Sequence, residues 1–299
     1  SQIDFISALQ TAPSRVPVPQ KPAAPVSTQP VASNPARPAP QVQPAQKERS
    51  QLWLYLNKPK LLLIPGLEWV EIPAGQFIYG PDKSIQVNPR PFLISRYPVT
   101  NAQYGMLLRK PGVVTKGDWS RQYHVNGIIG IPTGWQVHRA RGIFGDEGEG
   151  RVVIVSPKNQ DDYPVTGLTW DQADYFCRWL GCRLPTEVEW EKAARGLDGR
   201  TYPWGNTWVN GKNCNSLEAR IGSKSRVSAY PAGMSPYGVM DMCGNTWEWT
   251  GTVKNNQAVL RGGDCTCSMT SLGCAVSKEM RRDREEKFIG FRVCMDIDW

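Results

Sequence analysis

Histidine is almost missing from this chain: only His124 and His138 occur among 299 residues. That excludes a His-rich metal centre and most triads that need an imidazole base. There is no run of about 18 apolar residues, so no membrane-spanning helix is expected. The opening residues, Ser1-Gln-Ile-Asp-Phe5, have neither a basic nor an apolar stretch, so no signal peptide is expected. Cys-x-x-Cys pairs are missing as well. Eight cysteines over this length do not make a disulfide scaffold, and reduced, mostly buried thiols are expected. The net charge is +8, but basic residues are scattered and form no block of like charge. This points away from nucleic acid and towards solubility.

What is abundant is equally informative. Twelve Trp, 28 Gly and 25 Pro favour a loop-rich fold around an aromatic core over a helical bundle. Residues 1–10 suit a short amphipathic turn, with Ile3, Ile6 and Leu9 three apart, and are a candidate docking peptide for an assembly partner. Residues 11–50 are dominated by Pro, Ala, Val, Gln and Ser. Such a stretch buries too little apolar surface to offset ordering entropy and reads as an extended linker. The folded domain is expected over 51–299.

Within that domain, Trp69 to Gly80 reads as two short strands around Pro73 and Gly75, and Phe92-Leu-Ile-Ser95 as a third. Thr100 caps a short helix carrying Tyr104, Leu107 and Leu108 on one face. Residues 109–165 are Gly-rich, weakly periodic and read as an elaborated loop region. Asp146-Glu-Gly-Glu149 and Asp161-Asp162 could hold a cation but miss the calcium-loop spacing, and read as solvated turns. Thr169-Trp-Asp-Gln172 and Thr186-Glu-Val-Glu189 are capping boxes. Behind them, Ala173, Phe176, Cys177 and Leu180, then Trp190, Ala193 and Ala194, mark the inward faces of two amphipathic helices ended by Gly181 and Gly196. Cys177 and Cys182 read as core thiols. Trp247 and Trp249 alternate with Glu248, so an extended segment puts the indoles on one face and the carboxylate on the other.

Several stretches, in order, resemble one family. They are Tyr97-Pro-Val-Thr-Asn-Ala-Gln-Tyr104, the two capped helices, Tyr202-Pro-Trp-Gly-Asn206, Gly244-Asn-Thr-Trp-Glu-Trp-Thr250, Arg261-Gly-Gly263 and Ile289-Gly-Phe-Arg292. Together they look like the formylglycine-generating-enzyme/sulfatase-modifying-factor family across about residues 67–294. The resemblance implies an α+β, C-type-lectin-like fold with short sheets, two main helices and much irregular structure. It also implies structural calcium near the Gly244–Thr250 turn, with Asn245 as a ligand. The other reading of Asn245 is a turn held without metal.

Function turns on the stretch from Arg261 to Arg292, with strand-like ends and an irregular middle. In the catalytic members, the resemblance implies a copper-binding cysteine pair with four residues between, which oxidises a substrate cysteine; two soft thiolates suit Cu(I). Counting from Arg261, the first falls on Cys267 and the second on Leu272, with Cys274 two residues beyond. The aromatic and Ser positions that usually follow Arg-Gly-Gly in the family are changed here, to Asp264 and Cys265. A copper-dependent oxidase therefore has only Cys267 and Cys274 to work with. A sulfoxide-forming iron relative would need a His-rich partner domain.

The alternative is a non-catalytic binding module. Retroelement-diversified variable proteins, many of them phage receptor-binding proteins, are similar in fold and place their variable region between the same two strands. The matching region here is 264–288. Its candidate contacts to a protein or cell-surface ligand are Asp264, Cys265, Cys267, Met269, Thr270, Leu272, Val276, Lys278, Arg281, Arg282 and Arg284. A scaffold cored elsewhere tolerates change on such a segment. A flexible tether before a rigid head fits display on a virion, a cell surface or another large assembly.

Overall fold

The computed structural model describes residues 48–50, 53, 54, 57, 58, 61, 64–108, 132, 135–140 and 151–297, all within one compact unit. The expected docking peptide, nearly all of the linker, and Asp146 to Glu149 lie outside these residues. Glu48 to Ser50 are already helical, and the buried Ser50 hydroxyl donates to Glu71. Glu48 to Ser50 thus carry regular structure within the stretch expected as linker.

Two small sheets carry the architecture. β1 (Trp69–Ile72), β4 (Phe92–Ser95) and β11 (Cys294–Asp296) form an antiparallel sheet in the order β1-β4-β11. β4 is central and wholly buried because its faces meet different cores: Leu93 enters one, Phe92 and Ile94 the other. A continuous apolar run is the signature of a strand covered on both sides. The second sheet, in the order β10-β7-β8-β9, comprises β7 (Trp247–Lys254), β8 (Gln257–Arg261), β9 (Ser277–Arg281) and β10 (Ile289–Phe291), with β10 parallel to β7. β7 and β8 join through Asn255-Asn256 at φ 49° and 62°, the left-handed pair that a two-residue hairpin needs. Trp247 and Trp249 enter the larger core while Glu248 faces the other way, as the alternation predicts.

Five strands are not apparent in the sequence, β9 and β11 among them. β2 (Gly75–Tyr79) pairs with β3 (Ser84–Asn88), whose Ile85 and Val87 are exposed. β5 (Gln136–Ala140) pairs antiparallel with β6 (Arg151–Val155), so the region read as loop contains two paired strands. Of the acidic turn at 161–162, Asp161 accepts from the Ser156 hydroxyl and Asp162 pairs with Arg226, as befits a solvated turn.

Beyond the helical residues Glu48 to Ser50, the described residues form the helices α1 (Asn101–Leu108), α2 (Trp170–Trp179) and α3 (Glu187–Arg195). Both expected capping boxes form, on Thr169 and Thr186, and Thr100 exchanges the same reciprocal bonds with Gln103. Phe176 of α2 stacks on Tyr104 at 5.3 Å and meets Phe291 edge-on at 5.5 Å. α3 departs from a simple amphipathic support, since Glu191, Lys192 and Arg195 are buried with Trp190, Ala193 and Ala194. The β2–β3 hairpin covers its polar side. There Glu191 accepts from Gly80 N–H at 2.7 Å and pairs with Arg195 at 2.6 Å, and Lys192 donates to the carbonyls of Pro73 and Gly75. All eight cysteines are free thiols, and every one but Cys267 is buried.

Candidate functional site

The two ends of the Arg261–Arg292 stretch are fixed by buried ion pairs. Arg261 donates to Glu191 and Glu187 at 3.0 Å each and to the Tyr79 hydroxyl at 3.1 Å. Arg292 forks onto Glu248 with two bonds of 2.7 Å and also reaches the carbonyls of Met240 and Ser95. Glu248 takes a third bond, from the Trp190 indole at 2.7 Å. Pairs this deep hold geometry firmly, because loss of one partner strands a buried charge. Just inside the first clamp, Gly262 and Gly263 sit at φ 98° and 75°, and a Cβ on Gly263 would lie 2.2 Å from Leu272 Cδ2. Glycine is required there for both reasons.

Between the clamps the candidate contacts divide. Asp264 Oδ1 accepts from Thr266 N–H at 2.7 Å and from its hydroxyl at 2.6 Å, closing a tight turn. Met269 and Thr270 are exposed and Cys267 is half-buried. Cys265 and Leu272 need correcting, since both lie in the interior and offer nothing to a ligand at the surface; Leu272 packs over Gly263 and against Cys214 and Cys243. In the second half, Val276 leans on the larger core, while Lys278, Arg281 and Arg284 are exposed on or just beyond the edge strand β9. Arg281 pairs with Asp283. Arg282 is committed within the chain: it pairs with Asp171 and lies 4.6 Å over the Trp170 ring.

The thiols do not form the expected pair. Cys274 is wholly buried in the cluster of Trp190 and Tyr237, whereas Cys267 borders the cluster of Cys214, Cys243 and Leu272. Burial pushes the Cys274 thiol far up and the Cys267 thiol up as well. Copper(I) needs two thiolates converging on one point; Cys267 and Cys274 do not fit it. No group of three or more His, Cys, Asp or Glu side chains among the described residues is placed to hold a metal.

Asn245 does not fit calcium either. It is fully buried at φ 65°. Its Oδ1 accepts from Ser225 N–H at 2.9 Å, from Asn215 Nδ2 at 3.2 Å and from the Ser225 hydroxyl at 3.3 Å, while Nδ2 donates to the Ser225 carbonyl. Its lone pairs are spent on bolting two turns together. The unpartnered buried oxygen beside it, Asn215 Oδ1, is a single donor where calcium takes about six to eight.

The neighbours of the exposed middle come from a distant part of the chain. Tyr202 and Trp204 stack at 5.2 Å, and Trp208 lies tilted against both at 5.1 and 5.8 Å. The Tyr202 hydroxyl donates to the Met269 carbonyl, Glu218 accepts from Met269 N–H, and Leu217 N–H donates to the Cys267 carbonyl. Leu217, Ile221 and Met269 are exposed apolar side chains. The available signal was the closeness of three aromatics between residues 202 and 208, which the Pro-Trp-Gly turn obscured.

The Sulfatase-modifying factor enzyme 1-like domain matches residues 63–297. The chain belongs to this family. Among its relatives, the inactive C-alpha-formylglycine-generating enzyme 2 of Mus musculus is 31% identical over 248 residues, covering 71% of this chain and 79% of that protein. The formylglycine-generating enzyme of Thermomonospora curvata is 32% identical over 193 residues, with 57% and 62% covered. The hercynine oxygenase of Mycolicibacterium smegmatis is 29% identical over 276 residues, with 76% and 61% covered. The chain thus spans about three-fifths of the length of the latter two. In fold it is similar to PvdO of Pseudomonas aeruginosa (TM-score 0.56, 23% identity) and to Treponema denticola variable protein 1 (TM-score 0.53, 16% identity), with 77% of this chain and 95% of each of those covered. The fold is the α+β, C-type-lectin-like one. Family membership embraces both named enzymes and a relative named inactive.

Proposed function

We propose that this protein is a non-catalytic binding module that presents the middle of the 261–292 stretch, with the aromatic cluster beside it, to a protein or cell-surface ligand. The observation that carries the reading is the contrast along that stretch. Its ends are buried ion pairs, while between them Thr266, Met269, Thr270 and Ser271 are exposed, so this surface can change while the scaffold stays. The contacts then come from Met269, Thr270, Tyr202, Trp204, Trp208 and Leu217, with Lys278, Arg281 and Arg284 on the β9 side. Leu272 in the core, where a second thiolate would stand, weighs against the copper oxidase. A tethered head also suits display on an assembly through residues 1–10.

The test is a library randomised at Thr266, Ser268, Met269, Thr270 and Ser271, sorted first for folding and then for capture of a protein target. Most members should fold, and binders to new targets should emerge. Loss of folding in most members would contradict the reading.

A further inference from the structure

Three thiols border one small apolar cluster at the base of the exposed segment. Cys214 and Cys243 are 4% and 3% exposed and share one small apolar cluster with Leu272; Cys267 packs against it from the rim. The backbones that carry the buried pair run side by side. Asn245 N–H donates to the Asn215 carbonyl at 2.8 Å, and a Cβ placed on Gly244 would stand 3.4 Å from Cys214 Cβ. Burial, and then the neighbouring Cys214 thiol, push the Cys243 thiol well above its usual range. Facing the cluster are Tyr202, Trp204 and Trp208, with Asp264 on the Cys267 side, where its backbone N–H donates to the Cys267 sulfur at 3.5 Å. Solvent does not reach the buried pair; it reaches Cys267, the half-exposed member of the eight.

We propose that Cys214, Cys243 and Cys267 form a thiol–disulfide exchange site, in which Cys267 passes oxidation from a small-molecule disulfide to the buried Cys214/Cys243 pair. The Cys267 thiolate attacks one sulfur of the disulfide RSSR; the S–S bond breaks and one RSH leaves after protonation. Cys243 then attacks the Cys267 sulfur of the mixed disulfide and expels the second RSH. Cys214 attacks Cys243, forms the Cys214–Cys243 bond and returns Cys267 as a thiol. Two protein thiols lose two hydrogens, and RSSR gains them as two RSH. Thiolate attack through mixed disulfides is the general route of such exchange, and bridging demands neighbouring backbones of this kind. The consequence is local. Leu272 rests on both buried thiols, and the Cys267 carbonyl anchors Leu217, so the redox state of the pair is felt at the base of the exposed segment. The site stands on these contacts whether or not the surface above binds a ligand.

The test uses the full chain and oxidised glutathione as the disulfide. Native incubation followed by peptide mapping should show a Cys214–Cys243 link, a mass lower by two hydrogens and free Cys267. In Cys267→Ser, a half-exposed and mild change, the link should form at least tenfold more slowly under native conditions. In the Cys214→Ser/Cys243→Ser variant, Cys267 should retain a stable glutathione adduct. A wild-type product linked through Cys267, a wild-type chain with the buried pair still reduced, or an undiminished rate in Cys267→Ser would overturn the proposal. The wild-type mapping and the Cys267→Ser rate decide it even if the double variant does not fold.

Discussion

Replacing Glu248 by Gln tests the clamp at its most buried point. Glu248 and Arg292 have no exposed side-chain surface, and the carboxylate receives three bonds of 2.7 Å, two from the guanidinium and one from Trp190. Gln keeps the shape but brings one oxygen and an NH2 group, so one donor of Arg292 or Trp190 meets another donor. The guanidinium loses its counter-charge inside the protein. Removing one partner of a buried pair costs about 3–5 kcal/mol. For a domain of this size each kcal/mol lowers Tm by about 2–4 °C, so the fall should be roughly 6–20 °C. Urea unfolding followed by tryptophan fluorescence measures it, with Lys278→Ala and Arg284→Ala as controls from the exposed middle, each expected within about 0.5 kcal/mol of wild type. A loss below about 1 kcal/mol in Glu248→Gln, or equal losses in the controls, would refute the division into rigid ends and permissive middle.

Other changes probe the same region. Gly263→Ala should destabilise by about 2–5 kcal/mol, combining the left-handed backbone with overpacking against Leu272; adding Leu272→Ala should give a double-mutant cost below the sum. Burial pushes the Asp241 carboxyl up to about 7 against the pull of Arg292, so between its ordinary value near 3.8 and about 7 the folded chain holds more protons than the unfolded one. Stability from this group is therefore greatest below that window and falls as pH rises through it, and Asp241→Asn should flatten the slope in a pH series of unfolding curves. Exchange at Cys267, whose thiol burial raises, should accelerate as pH rises above neutral in a glutathionylation time course.

The parts of the fold set by short-range rules were legible in the sequence. Both capping boxes, the Trp247/Trp249 alternation and the paired glycines after Arg261 are local patterns whose consequences hold wherever the chain goes. What escaped was decided by distant partners. β3 is an exposed pair to β2, β6 lies in a region whose glycines masked it, and the buried charges of α3 are explained by a hairpin more than a hundred residues earlier in the chain. The site shows the same limit. The stretch itself stood out, but spacing alone could not tell that Leu272 and Cys265 turn inward, that Cys274 joins a different core from Cys267, or that Tyr202, Trp204 and Trp208 gather beside Met269.

The most direct measurement is intact-mass analysis of a Cys-bearing sulfatase peptide incubated with the protein and added copper under oxygen. Because Leu272 stands where the second thiolate would and Cys274 sits in a different core from Cys267, the peptide mass should remain unchanged. Conversion of its cysteine to formylglycine, lost in Cys267→Ser, would contradict the account.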